Sequence, residues 1–187
     1  MEKNKNPPSP CYECKIKCCT KLVVPITIFD AKRIVRITKK RIEDFALLMD
    51  YHSVNQNLYD SIFFLNQENK LEEKILVLKR SGKSCIFLEE EKKCRIWGSH
   101  PRACRCYPFY DFEEKTKKLK YVKNFLCPRK WTEEEKWSFD FKKSIEDLVK
   151  ENMQYNKIIR EWNALHYKKT KKEFFEWLEN YQITLTL

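Results

Sequence analysis

Four cysteines stand within nine residues in Cys11-x2-Cys14-x3-Cys18-Cys19, and no other feature constrains this chain as tightly. Core packing does not call for such clustering, and a disulfide between neighbours such as Cys18 and Cys19 would be strained, because bridged cysteines need well-separated Cα atoms. Soft thiolates at short spacing suit zinc or an iron-sulfur cluster. The spacing does not give the C-x2-C-x2-C-x3-C-P run of bacterial ferredoxins, although Cys127-Pro128 shares its final dipeptide. A C-x3-C-x2-C order would require a third thiol where Lys21 stands. A redox C-x-x-C reading fits Cys11 and Cys14 by themselves, but the following Cys18-Cys19 pair argues against simple thiol exchange.

Five more cysteines follow at Cys85, Cys94, Cys104, Cys106 and Cys127, an odd total of nine. The segment before Cys11 is polar and proline-rich, without the apolar core of a secretory signal, and no stretch approaches the roughly 20 apolar residues of a membrane span. The expectation is therefore a cytoplasmic protein, without a membrane partner, whose thiols stay reduced and serve as metal ligands.

The composition, 42% hydrophobic and 14% aromatic against 35% charged, describes a folded chain, and 187 residues suit one unit with a helical extension. Only Gly82 and Gly98 are glycine, so neither a dinucleotide fingerprint nor a P-loop can be written. Lys and Arg number 38 against 27 Asp and Glu, a net charge of +11 that attracts polyanions. Lysine and glutamate are abundant together along most of the chain, however, which favours a solvated, ion-paired surface over a nucleic-acid site. The nucleic-acid alternative would use Lys115 to Lys123 and Lys168 to Lys172, with Tyr121 and Trp177 stacking on bases.

Hydrophobic patterning predicts an α+β fold: a small β-rich, cysteine-bearing centre with N-terminal helices and a C-terminal helical extension. Pro25 marks an edge or irregular strand, and Asp30 reads as the N-cap of one or two helices from Ala31 to about Tyr51. Tyr51 to Lys70 has no firm pattern. Lys74 to Lys79 reads as a strand, Ser81-Gly82 as a turn, and hairpins are expected over residues 86–97 and 107–125. Thr132 to Glu135 forms a capping box ahead of helical periodicity that runs through Phe141, Ile145, Leu148, Ile158, Trp162, Phe174 and Leu178. The predicted organisation is a flexible leader over 1–10, a cysteine-cluster domain over 11–130, and the helical extension over 131–187 packed on the same unit.

The residues around the later cysteines carry a resemblance. Gly82-x2-Cys85-Ile86-Phe87-Leu88, followed by Cys94-x-Ile96-Trp97-x2-His100-Pro101-x2-Cys104-Arg105-x-Tyr107-Pro108, is similar to the C-x-F-L…C-x-I-Y-x-x-R-P-x-x-C-R-x-Y-P pattern of the zinc- or iron-chelating cysteine-cluster family, the CxxCxxCC or YkgJ type. The chain departs from the pattern in one extra residue in the first cluster, in His100 for Arg and in Trp97 for Tyr. The resemblance implies zinc or iron, with an iron-sulfur cluster as one form, held by Cys11, Cys14, Cys18, Cys19, Cys85, Cys94, Cys104 and Cys127. Cys106 falls at a variable position and reads as a small buried hydrophobe. His100 before Pro101 reads as a turn residue with ligation as the alternative, and His52 and His166 look structural. Arg102, Arg105 and Tyr107 are placed to donate hydrogen bonds to thiolates or, for Arg105, to pair with a carboxylate. More distantly, the pattern resembles the cysteine-rich region of flagellin lysine N-methylases, which would imply an iron-sulfur-dependent enzyme acting on a protein partner. No glycine-rich loop supports methyl transfer here.

Overall fold

In a computed structural model, the structure describes residues 18–183 apart from 55–57, 67, 69, 90–92, 114, 117, 124, 133, 136–139 and 166–169. The leader and His166 lie outside the described residues. The fold is mixed α+β, as the sequence patterning predicts.

Thr27 and Asp30 start helix α1 (Ile28–Thr38) through a capping box, in which the Thr27 hydroxyl accepts from Asp30 N and the Asp30 carboxylate accepts from Thr27 N. Asp30 is thus the third helical residue and not the N-cap. Lys39, at φ 58°, closes the helix in the left-handed region. After the single turn α2 (Ile42–Phe45) the chain leaves helical geometry for strand β1 (Ala46–Asp50). The helical reading through Tyr51 fails there because Ala46 to Asp50 find a complete antiparallel partner in Leu78 to Lys74, and tertiary pairing overrides a helix-compatible apolar spacing.

Strand β3 (Leu71–Leu78) is central, with β1 on one side and β2 (Ile62–Leu65) on the other. Its second half buries Ile75, Leu76, Val77 and Leu78 in succession, so both faces of the sheet are covered there. The irregular segment at Pro25 bridges Val77, with Ile26 N donating to Leu76 O and Leu78 N to Val24 O at 3.0 and 2.9 Å. Proline is tolerated because the bridge lies at the sheet edge. The weak pattern between Tyr51 and Lys70 conceals β2, which is held from outside by the helix α4 (Phe141–Asn163). Asn163 imitates a neighbouring strand, accepting from Phe63 N at 2.9 Å and donating to Ser61 O at 2.8 Å.

Helix α4 runs 23 residues, roughly 35 Å at 1.5 Å per residue, and carries a continuous buried stripe. Tyr155, Ile158, Ile159 and Trp162 enter the main core with α1, the three-stranded sheet and helix α5 (Lys171–Asn180). Phe141, Ile145 and Leu148 enter a second, smaller core with Cys106 and Phe109. That core is roofed by the hairpin of β6 (Phe109–Glu113) and β7 (Lys118–Tyr121). The Thr132–Glu135 capping box forms, but α4 itself begins at Phe141 behind Asp140, whose φ is 47°. No helix among the described residues is long and apolar enough to cross a membrane.

Candidate metal centre

Cys18 and Cys19 open a 3-10 turn (Cys18–Thr20), in which Lys21 N and Leu22 N both donate to Cys18 O. This turn is fastened by Arg80, whose guanidinium donates to Leu22 O at 2.7 Å, to Thr20 O at 3.0 Å and to Lys83 O. Arg80 belongs to β4 (Arg80–Ser81), and it pairs with Cys85 of β5 (Ser84–Cys85) across a tight turn where Gly82 adopts φ 57°. A left-handed conformation of this kind favours glycine. One side chain therefore ties the N-terminal cysteines to the strand that bears the next one.

Cys85 and Cys94 sit in two similar turns. Leu88 N donates to Cys85 O at 2.9 Å and Trp97 N to Cys94 O at 3.0 Å. The residue two places after each cysteine, Phe87 or Ile96, is driven into the main core, at 1% and 2% exposure, and fixes the turn. Among the described residues of 86–97, the expected hairpin is reduced to an isolated antiparallel Leu88–Cys94 bridge, with Glu89 N donating to Lys93 O and Arg95 N to Phe87 O, both at 2.9 Å. The cause is that the anchored residues commit the backbone to turns on both sides of that bridge. Burial raises the Cys85 thiol above its usual range, against the opposing hydrogen bond from Phe87 N and the charge of Arg80.

After Cys94 the chain turns at Gly98, φ 91°, and enters the short helix α3 (Arg102–Cys106) behind Pro101. His100 is buried, stacks on Trp97 with ring centroids 4.4 Å apart, and accepts from Gly98 N at Nδ1. Burial, then Arg105, Arg102 and Arg33, hold its pKa down to about 4, so it is neutral near pH 7. His100 is built in as a turn residue.

Helix α3 is oriented by a buried charge network. Asp30, fully buried, accepts at Oδ1 from Arg102 N (3.0 Å) and from Arg33, and at Oδ2 from the Thr27 N–H and hydroxyl. Burial raises its carboxyl, and Arg33 together with the N–H groups of Thr27 and Arg102 opposes that rise. Four donors and no acceptor around it suit the ionised form. Arg33 grips Glu151 with bonds of 2.7 and 2.9 Å, while Arg102 reaches Glu151 at 3.1 Å and Asp147 at 3.3 Å. Arg102 thus serves carboxylates of α4. Arg105 is exposed.

Cys104 lies on this helix. Burial first, and then the charges that Cys19, Cys85, Cys94 and Asp30 would bring, push its thiol well above the usual thiol range. Four cysteines separated by up to 85 positions in the chain, Cys19 to Cys104, thus meet in one electrostatic neighbourhood. The seven described cysteines are all thiols, none in a disulfide. Among the described residues, no three His, Cys, Asp or Glu side chains form a group that could hold a metal ion as they stand. The quartet is a set of neighbours and not yet a closed cage.

Cys18 and Cys127 both lie within electrostatic reach of Tyr107. The Tyr107 hydroxyl accepts from Leu126 N and from Cys127 N, which holds the Cys127 backbone against the residue that follows α3. Cys106 points away into the second core, 1% exposed, and burial pushes its thiol up to about 12. It is the small buried hydrophobe the sequence suggests. Cys11 and Cys14 lie outside the described residues, and His52 is exposed beside Glu73 at 3.9 Å.

Residues 10–128 match the family described as "CxxCxxCC: Putative zinc- or iron-chelating domain". The chain belongs to this family. The matched segment, well over half of the chain, holds all nine cysteines together with Asp30 and Arg80. Its description says nothing of methyl transfer, and the resemblance to flagellin lysine methylases is not shown. No curated protein and no solved structure matches the chain.

The donor chemistry fits the metals that the family description names. Cys104 and the three thiols that each raise the cost of ionising it are stabilised together by a cation, which replaces mutual repulsion with attraction and favours the thiolate forms. Sequence reasoning missed two residues that build the site. The Thr27-x-x-Asp30 capping signature was the available signal for Asp30. Arg80 had none, because Thr20 O and Leu22 O, the acceptors through which it holds the N-terminal turn, are brought near only by folding. Tyr121 and Trp177, considered for base stacking, pack on Phe109 and Phe125 and on Trp162, Phe174 and Tyr181 respectively.

Proposed function

We propose that this protein chelates zinc or iron through the thiolates of Cys19, Cys85, Cys94 and Cys104. The single observation supporting this reading is that, after burial, the other three thiols are the largest influences on Cys104, which sits on a helix locked by Asp30. A four-thiolate set is the commonest closed environment for structural zinc and suits iron-sulfur clusters equally. Binding requires the thiols to turn inward and lose their protons, and the metal then supplies cross-links between the N-terminal turn, the two cysteine turns and α3. In this reading the metal-binding unit spans 11–130, and the helices from 131 onward complete its core.

Elemental analysis and a visible spectrum of anaerobically purified protein test the proposal. Bound zinc with no colour, or bound iron with a brown colour, supports it and chooses the metal. Cys94→Ser should lower metal content sharply, while Cys106→Ser should leave it nearly unchanged, since Cys106 serves the second core. Equal loss in both variants would show that the ligand set is wrong.

A further inference from the structure

Helix α1 carries Phe29, Lys32, Arg33 and Arg36 at i, i+3, i+4 and i+7, and α4 carries Asp147, Lys150, Glu151 and Gln154 at the same spacing. That spacing puts each set on one helix face. The two faces together line a cleft of about 420 Å³, completed by Arg102 and Ile183. Its volume falls in the range of small-molecule sites. The charges in it do not balance, because five cations meet two carboxylates. Glu151 already accepts from Arg33 at 2.7 and 2.9 Å and from Arg102 at 3.1 Å. Asp147 likewise accepts from Arg102 at 3.3 Å and from Lys143 at 2.7 Å. Three cations are left over. Arg36 and Lys150 are exposed and make no ion pair among the described residues. Lys32 is half-buried and donates to a carbonyl, Glu179 O at 2.6 Å, while the Glu179 carboxylate faces Ile42 N at 3.0 Å and Arg41 at 3.7 Å. Burial lowers the Lys32 pKa, and the charge of Glu179 only partly opposes it.

From this arrangement we infer that the cleft binds a small organic phosphate, its phosphate group among Lys32, Arg36 and Lys150 and its organic body against Phe29 and Ile183. A phosphomonoester brings about two negative charges and three terminal oxygens, enough to serve three cations. A carboxylate brings one charge and two oxygens, and leaves at least one cation unserved. Lys32 and Arg36 stand one helical turn apart on α1, and Lys150 approaches from α4, so the cations come from two elements. The Gln154 amide, which makes no hydrogen bond among the described residues, offers both a donor and an acceptor to polar groups of the ligand. No cysteine lines the cleft, so the inference goes beyond the chelation reading and does not rest on it.

Calorimetric titration of the full chain with phenyl phosphate and with inorganic phosphate tests this. Phenyl phosphate should bind as one equivalent, and more tightly than inorganic phosphate. Arg36→Gln and Lys150→Gln, at exposed positions that the fold does not need, should each weaken it about tenfold, the worth of one charge-assisted hydrogen bond. Lys157→Gln removes the same charge from the same helix but outside the cleft, and should leave binding unchanged. Ile183→Ser should narrow the preference for phenyl phosphate and leave inorganic phosphate binding as it was. Absence of saturable binding of either probe overturns the proposal. Equal weakening by Lys157→Gln overturns it as well, because binding would then reflect the general attraction of a chain of net charge +11 for anions. Equal affinity for the two probes would show that Phe29 and Ile183 take no part, and with them the organic ligand falls.

Discussion

The two cores of this protein share one helix and little else. Among the described residues the main core gathers two dozen buried side chains from α1, α2, the three-stranded sheet, both cysteine turns, α4 and α5. The second gathers five, from α3, the β6–β7 hairpin and the first turns of α4. A large cluster fed by many elements can hold itself by apolar burial alone, whereas a two-stranded hairpin over five side chains is marginal without further support. The cysteines follow this difference. Cys85 and Cys94 pack on the large core, where Phe87 and Ile96 anchor them, and Cys104 lies on α3, the helix that carries Cys106 into the small one. Metal would thus link the part that is stable by itself to the part that is not.

Removing metal should break the comparison open most widely. Metal binding in small thiolate sites supplies folding free energy of order 10 kcal/mol. With chelator, amide exchange should rise strongly over residues 102–131 and the Cys18–Thr20 turn, while β1, β3 and α5 keep their protection. Uniform exchange with and without chelator would mean that the small core stands unaided.

Trp162 tests the other side of the comparison. Its ring is fully buried against Phe64, Phe174 and Trp177, and its Nε1 donates to Phe63 O at 3.3 Å. Trp162→Ala should cost about 3–5 kcal/mol in denaturant unfolding. The cost should be the same with and without chelator if the main core owes nothing to metal. A chelator-dependent cost would show the two cores to be one cooperative unit.

The smallest effect sharpens the boundary between them. Asp30→Asn keeps the shape of the residue but removes the charge that Arg33 and Arg102 N address, a loss of about 1.5–3 kcal/mol for charged hydrogen bonds. Because Arg102 N begins α3, exchange should quicken at residues 102–106 before it does in β3. Simultaneous loosening of helix and sheet would place Asp30 in the main core's own stability and not at the joint.

Local chemistry made much of this readable before folding. The clustered thiols and the spacing around Cys85, Cys94 and Cys104 carried the family, a short apolar run carried β3, and two apolar runs about a charged turn carried β6 and β7. The stripe of aromatics at helical spacing carried α4 and α5. Each of these signals lies within a few residues of chain, where spacing alone fixes which side chains share a face. Tertiary structure decided what spacing cannot express. Ala46 to Asp50 became a strand because β3 offered them a full ladder, and β2 formed because Asn163 could stand in for a missing neighbour. Cys106, two residues from Cys104, went to the opposite face of α3 and into a core. The Cys18–Thr20 turn likewise depends on Arg80, two of whose acceptors, Leu22 O and Thr20 O, lie about 60 positions away. Contacts between residues so far apart in the chain leave no periodicity in the sequence, since they are selected by the packing of whole elements and not by the order of residues within one.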